Sequence, residues 1–281
     1  MKVLLAGATG ELGRALAAEL IARGHDVRAL VRDPNAPRAQ ALAGLGAELA
    51  TGDVLDPAVE GDATGCGVVI HAATAISDWE RNDRIRREGT RHLLAAAERA
   101  RASFLFAGIA LIYGDGGEEE IEAAEPIIAP APRLESAVDA ELEVFSSGVR
   151  FLILRQGILF GPESGSAHVL LDAVAAGAMP AAPAWLALLH PDDFARLAVR
   201  ALERDLNGLY DAVSDTVRLD ELVREAARAL EAPEPPLEAE PPNPNVWLVS
   251  RRVTPRALAK VGLEPRWSWR QMLASALEAR G

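Results

Sequence analysis

The residues best suited to chemistry lie at the very start, in Gly7-Ala8-Thr9-Gly10-Glu11-Leu12-Gly13. Three glycines at intervals of three let a chain turn sharply, let a ligand approach its backbone, and let a helix pack tightly on a strand. An apolar run, Lys2–Ala6, precedes them and an amphipathic stretch, Glu11–Arg23, follows. A loop between strand and helix offers the helix's unpaired N–H groups and partial positive charge to an anion. A diphosphate bridge is the ligand that this context predicts, against the alternative of a tight glycine turn holding nothing.

The other candidate residues fall where further strands should end. Arg32 and Asp33 follow the second apolar run, Asp26–Arg32. An arginine there attracts a ribose 2′-phosphate, whereas a carboxylate binds the 2′-hydroxyl and repels the phosphate. Arg32 is the preferred contact, so NADP(H) is expected ahead of NAD(H), with Asp33 as the competing ribose acid. Asp53 and Val54 follow the third run, where a side chain can reach an adenine; Asp53 reads equally well as a turn carboxylate. Ala72, Ala73 and Thr74 end the fourth run with small side chains that leave room for a cofactor. The expected dinucleotide contacts are therefore Gly7, Thr9, Gly10, Glu11, Leu12, Gly13, Arg32, Asp53, Val54, Ala72, Ala73 and Thr74.

Other chemistries find little support. One cysteine, Cys66, excludes an intrachain disulfide, and five scattered histidines (His25, His71, His92, His168, His190) show no metal-ligand spacing. The formal net charge of −12 argues against nucleic-acid or anionic-membrane surfaces. The opening residues do not form a signal peptide, and the apolar stretch from Val169 to Leu189 carries Asp172, Gly177, Pro180 and Pro183, which suits a helix and an irregular loop better than a membrane span. A cytoplasmic protein is expected.

The elements that must position these residues follow from alternating apolar runs and amphipathic stretches, the pattern of a doubly wound parallel sheet of Rossmann type. Strands are predicted at Lys2–Ala6, Asp26–Arg32, Ala47–Ala50, Gly67–His71, Phe104–Phe106 and Arg150–Leu154. A long helix is predicted around Arg81–Arg101 and another at Leu134–Ser146, with Asp115–Glu125 as an acidic surface loop. Later helices are predicted near His168–Ala176, Asp192–Glu203, Leu219–Leu230 and Trp269–Glu278, and a proline-rich connector at 232–245. This gives an α/β fold: a dinucleotide-binding core over 1–162, with later segments contributing, and a smaller, mostly helical C-terminal lobe over 163–281.

Taken together, the GATGELG loop, Gly52-Asp53-Val54-Leu55-Asp56, Val68–Thr74, Glu88–Ala97, Ile112–Asp115, Leu154–Gly157 with Phe160-Gly161-Pro162, and His190–Asp193 resemble the extended or atypical short-chain dehydrogenase/reductase superfamily, the group of NAD-dependent epimerases and dehydratases. The resemblance implies proton transfer by a tyrosine, a lysine four residues on, a serine and often an asparagine. Aligned with those motifs, the tyrosine position holds Arg133, the lysine position Ala137, the serine position Ile109 and the asparagine position Arg86. The only tyrosines are Tyr113 and Tyr210, followed four residues on by Gly117 and Ser214, and the only lysines are Lys2 and Lys260. No tyrosine–lysine pair at that spacing exists.

Two functions remain open at this point. One is dinucleotide binding without ordinary turnover, in a sensing, structural or partner-signalling role, which explains four simultaneous replacements most economically. The other is an unconventional NADPH-dependent oxidoreductase or epimerase acting on a small carbonyl or a nucleotide sugar, with Tyr113 as a weak substitute proton donor whose plainer role is packing. His190, Asp192 and Asp193 read as the start of a helix with an aspartate as its cap. Arg251 and Arg252 read as two surface arginines following a buried Trp247, although their type would also suit a pyrophosphate.

Overall fold

The computed structural model describes residues 1–123 and 134–280. Its strands are β1 (Lys2–Ala6), β2 (Asp26–Val31), β3 (Glu48–Thr51), β4 (Val68–His71), β5 (Ser103–Ile109), β6 (Glu120–Ile121), β7 (Phe151–Gln156), β8 (Ile158–Leu159), β9 (Trp185–Leu189), β10 (Gly208–Ala212), β11 (Asp215–Arg218) and β12 (Arg252–Val253). Its helices are α1 (Glu11–Ala22), α2 (Pro37–Gly44), α3 (Trp79–Arg84), α4 (Thr90–Ala100), α5 (Glu135–Ser146), α6 (Gly165–Ala175), α7 (Pro191–Glu203), α8 (Leu219–Ala229), α9 (Pro244–Trp247), α10 (Arg256–Lys260) and α11 (Trp269–Glu278).

The main sheet has seven strands in the order β10-β7-β5-β4-β1-β2-β3. Val3, Leu4, Leu5 and Ala6 of β1 have no exposed surface, as an uninterrupted apolar run covered on both faces requires. β1 lies parallel to β2 on one side, with Leu4 opposite Arg28, and parallel to β4 on the other, with Leu4 opposite Val69. From β1 the chain winds out through β2 to β3, then returns to the other side of β1 for β4 and β5. That reversal is the topological switch point, where open α/β sheets bind ligands beyond the carboxyl ends of their strands.

Contacts divide the chain into two compact units: Met1–Gly108, Pro132–Leu154 and Ala198–Tyr210 form one, and Ile109–Ala131, Arg155–Leu197 and Asp211–Gly281 the other. The first has a core in which Leu4, Val69, Leu93, Phe104 and Ile153 are buried together. In the second, Phe160, Leu171, Leu188, Leu222, Trp247 and Met272 form the core.

Beside the unpredicted α2 and β10, three features depart from the sequence pattern. The long helix predicted around Arg81–Arg101 is broken into α3 and α4 by a π-helical turn, Ile85–Gly89. The acidic segment predicted as a loop contains β6, which pairs in parallel with β12; its end at Glu125 lies outside the described residues. The second unit also contains a three-stranded sheet, β11-β9-β8, which no predicted element anticipated. No helix among the described residues is long and apolar enough to cross a membrane.

Candidate dinucleotide site

The glycine loop joins β1 to α1 and takes its shape from backbone packing. Gly7 has φ +84°, a conformation that favours glycine, and a Cβ there would overlap the backbone of Ala72 and Ala73. A Cβ on Gly13 would overlap the Gly7 carbonyl and stand 2.6 Å from Ala8 Cα. At Gly10 a Cβ would meet only the Gly7 oxygen, at 3.2 Å, so this side of the loop is open. Gly10 precedes α1 in extended conformation, and no side chain caps the helix. The N-terminus of α1 therefore opens onto the exposed end of this loop, a placement that fits a diphosphate. Thr9 is half-buried and Gly10 exposed at the mouth of this loop, while Leu12 and Gly13 turn inward.

Arg32 is exposed just beyond β2 and forms no hydrogen bond or ion pair among the described residues. Asp33, its competitor, accepts the Asn35 amide at 2.9 Å and so closes its own turn. Asp53 is held more firmly. One oxygen accepts the Leu55 amide at 3.1 Å and the other the Arg81 guanidinium at 2.5 Å. Burial alone would raise its carboxyl, but these two donors, with Arg32 nearby, hold it below the usual range. Val54 is buried, and its carbonyl accepts His92 Nδ1 at 2.9 Å.

The end of β4 meets the loop directly, because the Ala72 amide donates to the Ala6 carbonyl at 3.0 Å. His71, the strand's last residue, is buried edge-on to Phe106 with ring centroids 5.4 Å apart. Desolvation pushes its pKa down to about 4, so it is neutral at pH 7. Ala73 and Thr74 continue outward, and the Ala75 amide is caught by the buried Asn82 side chain at 2.9 Å. The predicted contacts from Gly7 to Thr74 all belong to the first unit, at the carboxyl ends of β1, β2, β3 and β4.

Of the four positions aligned with the proton relay, Arg133 lies outside the described residues. Ile109 is the last residue of β5, and Ala137 is buried in the first turns of α5. Arg86 lies in the π turn, where its Nη1 donates to Ser136 Oγ at 3.2 Å; Ser136 in turn donates to Asp83 at 2.5 Å. Sequence reasoning passed over Ser136 and Asp83 and saw Arg86 only as a replaced asparagine. The available signal was four arginines within Arg81–Arg87.

Tyr113 belongs to the second unit and is 2% exposed. Its hydroxyl donates to Asp211 at 2.9 Å and accepts from Arg155 Nη1 at 2.8 Å. Desolvation and the Asp211 charge push the phenol well above its ordinary pKa, against the pull of Arg155.

Two readings of the second unit are corrected. Arg251 is not a surface residue: it is buried and donates to the carbonyls of Tyr113, Asn245 and Val249, at 2.9, 3.1 and 3.4 Å. Burial lowers its pKa to about 10. Arg252, half-buried, lies over the Trp185 ring at 4.9 Å. Asp193 does not cap a helix, because α7 already begins at Pro191. Fully buried, it accepts the backbone amides of Arg266 and Trp267 and the Arg196 guanidinium, and so ties down the segment leading to α11. His190 stacks on Trp267, with centroids 3.8 Å apart. No cluster among the described residues has the composition of a metal site.

A reductase from a Streptomyces species, 3-diazoavenalumate denitrifying reductase, is 33% identical over 260 residues, covering 84% of this chain and 83% of its own. A 4-hydroxy-2-methyl-3-oxo-4-farnesyl-3,4-dihydroquinoline-1-oxide ketoreductase from Stigmatella aurantiaca is 42% identical over 106 residues, 36% of this chain and 31% of that protein. Among solved structures, the Thermus thermophilus UDP-glucose 4-epimerase complex with NAD superposes with a TM-score of 0.79 at 22% identity, covering 100% of this chain and 99% of that one. The Bacillus anthracis dTDP-glucose 4,6-dehydratase in complex with NAD gives 0.82 at 13% identity, over 100% and 96%. Those two likenesses establish the fold. The model of the NAD dependent epimerase/dehydratase family matches residues 3–212. With the glycine cradle, the strand order and this match in agreement, the chain belongs to the NAD dependent epimerase/dehydratase family.

Proposed function

We propose that this protein is a nicotinamide-dinucleotide-dependent reductase whose acceptor needs a hydride and takes no proton from the protein. The observation that carries this reading is the fate of its tyrosines. Tyr113 is sealed between Asp211 and Arg155 with its phenol hard to ionise, and the Tyr210 hydroxyl donates to the Asn207 carbonyl at 3.1 Å. Neither has a lysine four residues on. Epimerisation through a sugar hydroxyl, and reduction of an ordinary ketone, both need a proton acid or base at the oxygen. An electrophile that already carries positive charge does not.

A reduced nicotinamide, when bound, supplies the hydride. The chain's own part is to hold the diphosphate at Gly7, Gly10 and Gly13, to keep the site dry, and to orient the acceptor. The Streptomyces reductase's name points to a diazo acceptor that loses nitrogen. An arenediazonium ion is balanced by one hydride alone: it gains H⁻, the carbon–nitrogen bond breaks, dinitrogen leaves, and no proton moves to or from a side chain. Exposed Arg32 supports NADP(H) as the preferred form, since Asp33 is occupied by its own turn. A cytoplasmic setting, where NADPH is plentiful, suits this reading.

Dinucleotide binding without turnover, as a sensor or a structural ligand, is the second reading, favoured by the aliphatic residues Ile109 and Ala137 at relay positions. One experiment separates the two. NADPH oxidation is followed in stopped flow against an aldehyde, a ketone, an enone and an arenediazonium salt, with evolved nitrogen measured. The reductase reading expects oxidation with the diazonium salt only, in step with nitrogen release and above the protein-free rate. NADPH binding without oxidation by any acceptor would establish the second reading. In calorimetry, Arg32→Ala is expected to weaken NADPH by at least tenfold and NADH by less than twofold; equal losses would remove the NADP preference.

A further inference from the structure

The arginines between residues 81 and 87 are not equivalent. Arg81 pairs with Asp53, Arg84 with Glu88 and Arg87 with Asp139. Among the described residues Arg86 forms no ion pair, and its side chain makes one hydrogen bond, to the neutral Ser136 hydroxyl at 3.2 Å. It is nonetheless half-buried, and burial together with Arg87 pushes its guanidinium below the ordinary range, with Asp83 opposing. A desolvated cation is costly unless acceptors meet its donors, and among the described residues only the Ser136 hydroxyl does so here.

The fold says where those donors are. Arg86 sits on the π turn directly after α3, close enough to His71 at the end of β4 to depress that imidazole further. Helical turns of this type interrupt regular hydrogen bonding and recur at functional sites. A dinucleotide lies across the switch point, its diphosphate at the loop after β1. The adenosine half falls on the β2 side, where Arg32 stands, so the nicotinamide riboside falls on the β4 side, where Arg86 stands.

We propose that Arg86 binds the nicotinamide-riboside half of the dinucleotide, donating to its ribose hydroxyls, with Ser136 and Asp83 as positioning residues that fix the guanidinium. The cation then comes from the π turn, next to α5, whose residue 137 is an alanine without a donor. The assignment rests on dinucleotide binding alone and is independent of whether hydride transfer occurs.

The test uses the full chain and two ligands, NADPH and adenosine 2′,5′-bisphosphate, which lacks the nicotinamide riboside. Arg86→Ala is expected to weaken NADPH about tenfold in calorimetry, leave the bisphosphate within twofold, and reduce the fluorescence enhancement of bound NADPH; a lost donor pair of this kind is worth roughly that factor. Arg86→Lys should recover part of the NADPH affinity, and Ser136→Ala should lower it by severalfold. Unfolding midpoints of each variant are read in parallel. Equal losses for both ligands, or unchanged NADPH affinity in a folded Arg86→Ala protein, would overturn the assignment. If Arg86→Ala does not fold, Arg86→Lys and Ser136→Ala decide: an unchanged NADPH-to-bisphosphate affinity ratio in both overturns it.

Discussion

Tyr113 shows how a residue type suited to proton transfer can be committed elsewhere. A phenol donates best to a reacting oxygen when its pKa lies near the working pH, and burial against a carboxylate moves it the wrong way. The Asp211–Tyr113–Arg155 chain instead joins an anion, a neutral donor and a cation in one buried network. Removing its middle member leaves two charged groups short of one bond each, a cost of about 1–3 kcal/mol. Tyr113→Phe is therefore expected to lower the urea midpoint while leaving the proposed diazonium reduction within about twofold in rate, since that step moves no proton to or from a side chain. A hundredfold loss of rate in a folded variant would restore Tyr113 as the acid. Arg251 carries a related lesson. Its position beside Arg252 suggested solvent, but three backbone carbonyls converge on it, and no local pattern announces such a convergence.

At the scale of elements, what was legible in the sequence was what local periodicity encodes. The β1 run, the helix after it and the Trp269–Glu278 helix stand where the pattern placed them. β9 was not legible, because Trp-Leu-Ala-Leu-Leu is covered on both faces and lacks the alternation that marks a half-exposed strand. β6 was hidden for another reason: it is two residues long and exists through a partner some 130 residues away. The π turn is likewise invisible to a 3.6-residue repeat. The shape of the glycine loop was legible because glycine spacing is itself the geometric requirement, and its proposed role in binding can be tested within one element. Gly13→Ala forces a Cβ into backbone atoms that cannot swing aside. It is expected to cost about 1–3 kcal/mol of stability, as overpacking does, and to lose most dinucleotide affinity. Gly10→Ala adds its methyl on the open side of the loop. It should unfold near the wild-type temperature but no longer rise in midpoint when NADPH is added, since that rise follows binding by mass action. Equal destabilisation by both substitutions would contradict the assignment of Gly10 to the ligand side.

The whole molecule carries 41 acidic and 29 basic side chains, so acid brings it toward neutrality before making it strongly positive. Its response to acid should be set by particular groups, two buried histidines and an ion-paired glutamate, rather than by net charge. His71 has a folded pKa of about 4 against an ordinary 6.5. A histidine depressed in this way contributes stability that is fully present above pH 6.5 and is lost as pH falls toward 4, because only the unfolded chain can protonate it. The difference corresponds to about 3 kcal/mol. His190, also lowered by burial, adds to the loss of stability that begins as pH falls below about 6.5. Glu203 acts in a later one. Held by Arg23 at 2.6 Å and by His25, it has a pKa near 2, so its contribution persists above about pH 4.5 and fades from there down to about pH 2. Urea titrations stepped from pH 7.5 to pH 3 should therefore show stability falling in two stages. His71→Gln should flatten the stage between pH 6.5 and 4 without abolishing it, since His190 remains, and should leave the slope below pH 4.5 intact. Glu203→Gln should do the reverse. A His71→Gln protein whose stability falls between pH 6.5 and 4 as steeply as wild type would mean that this imidazole is protonated in the folded state, and the dry contact between the end of β4 and Phe106 would have to be abandoned.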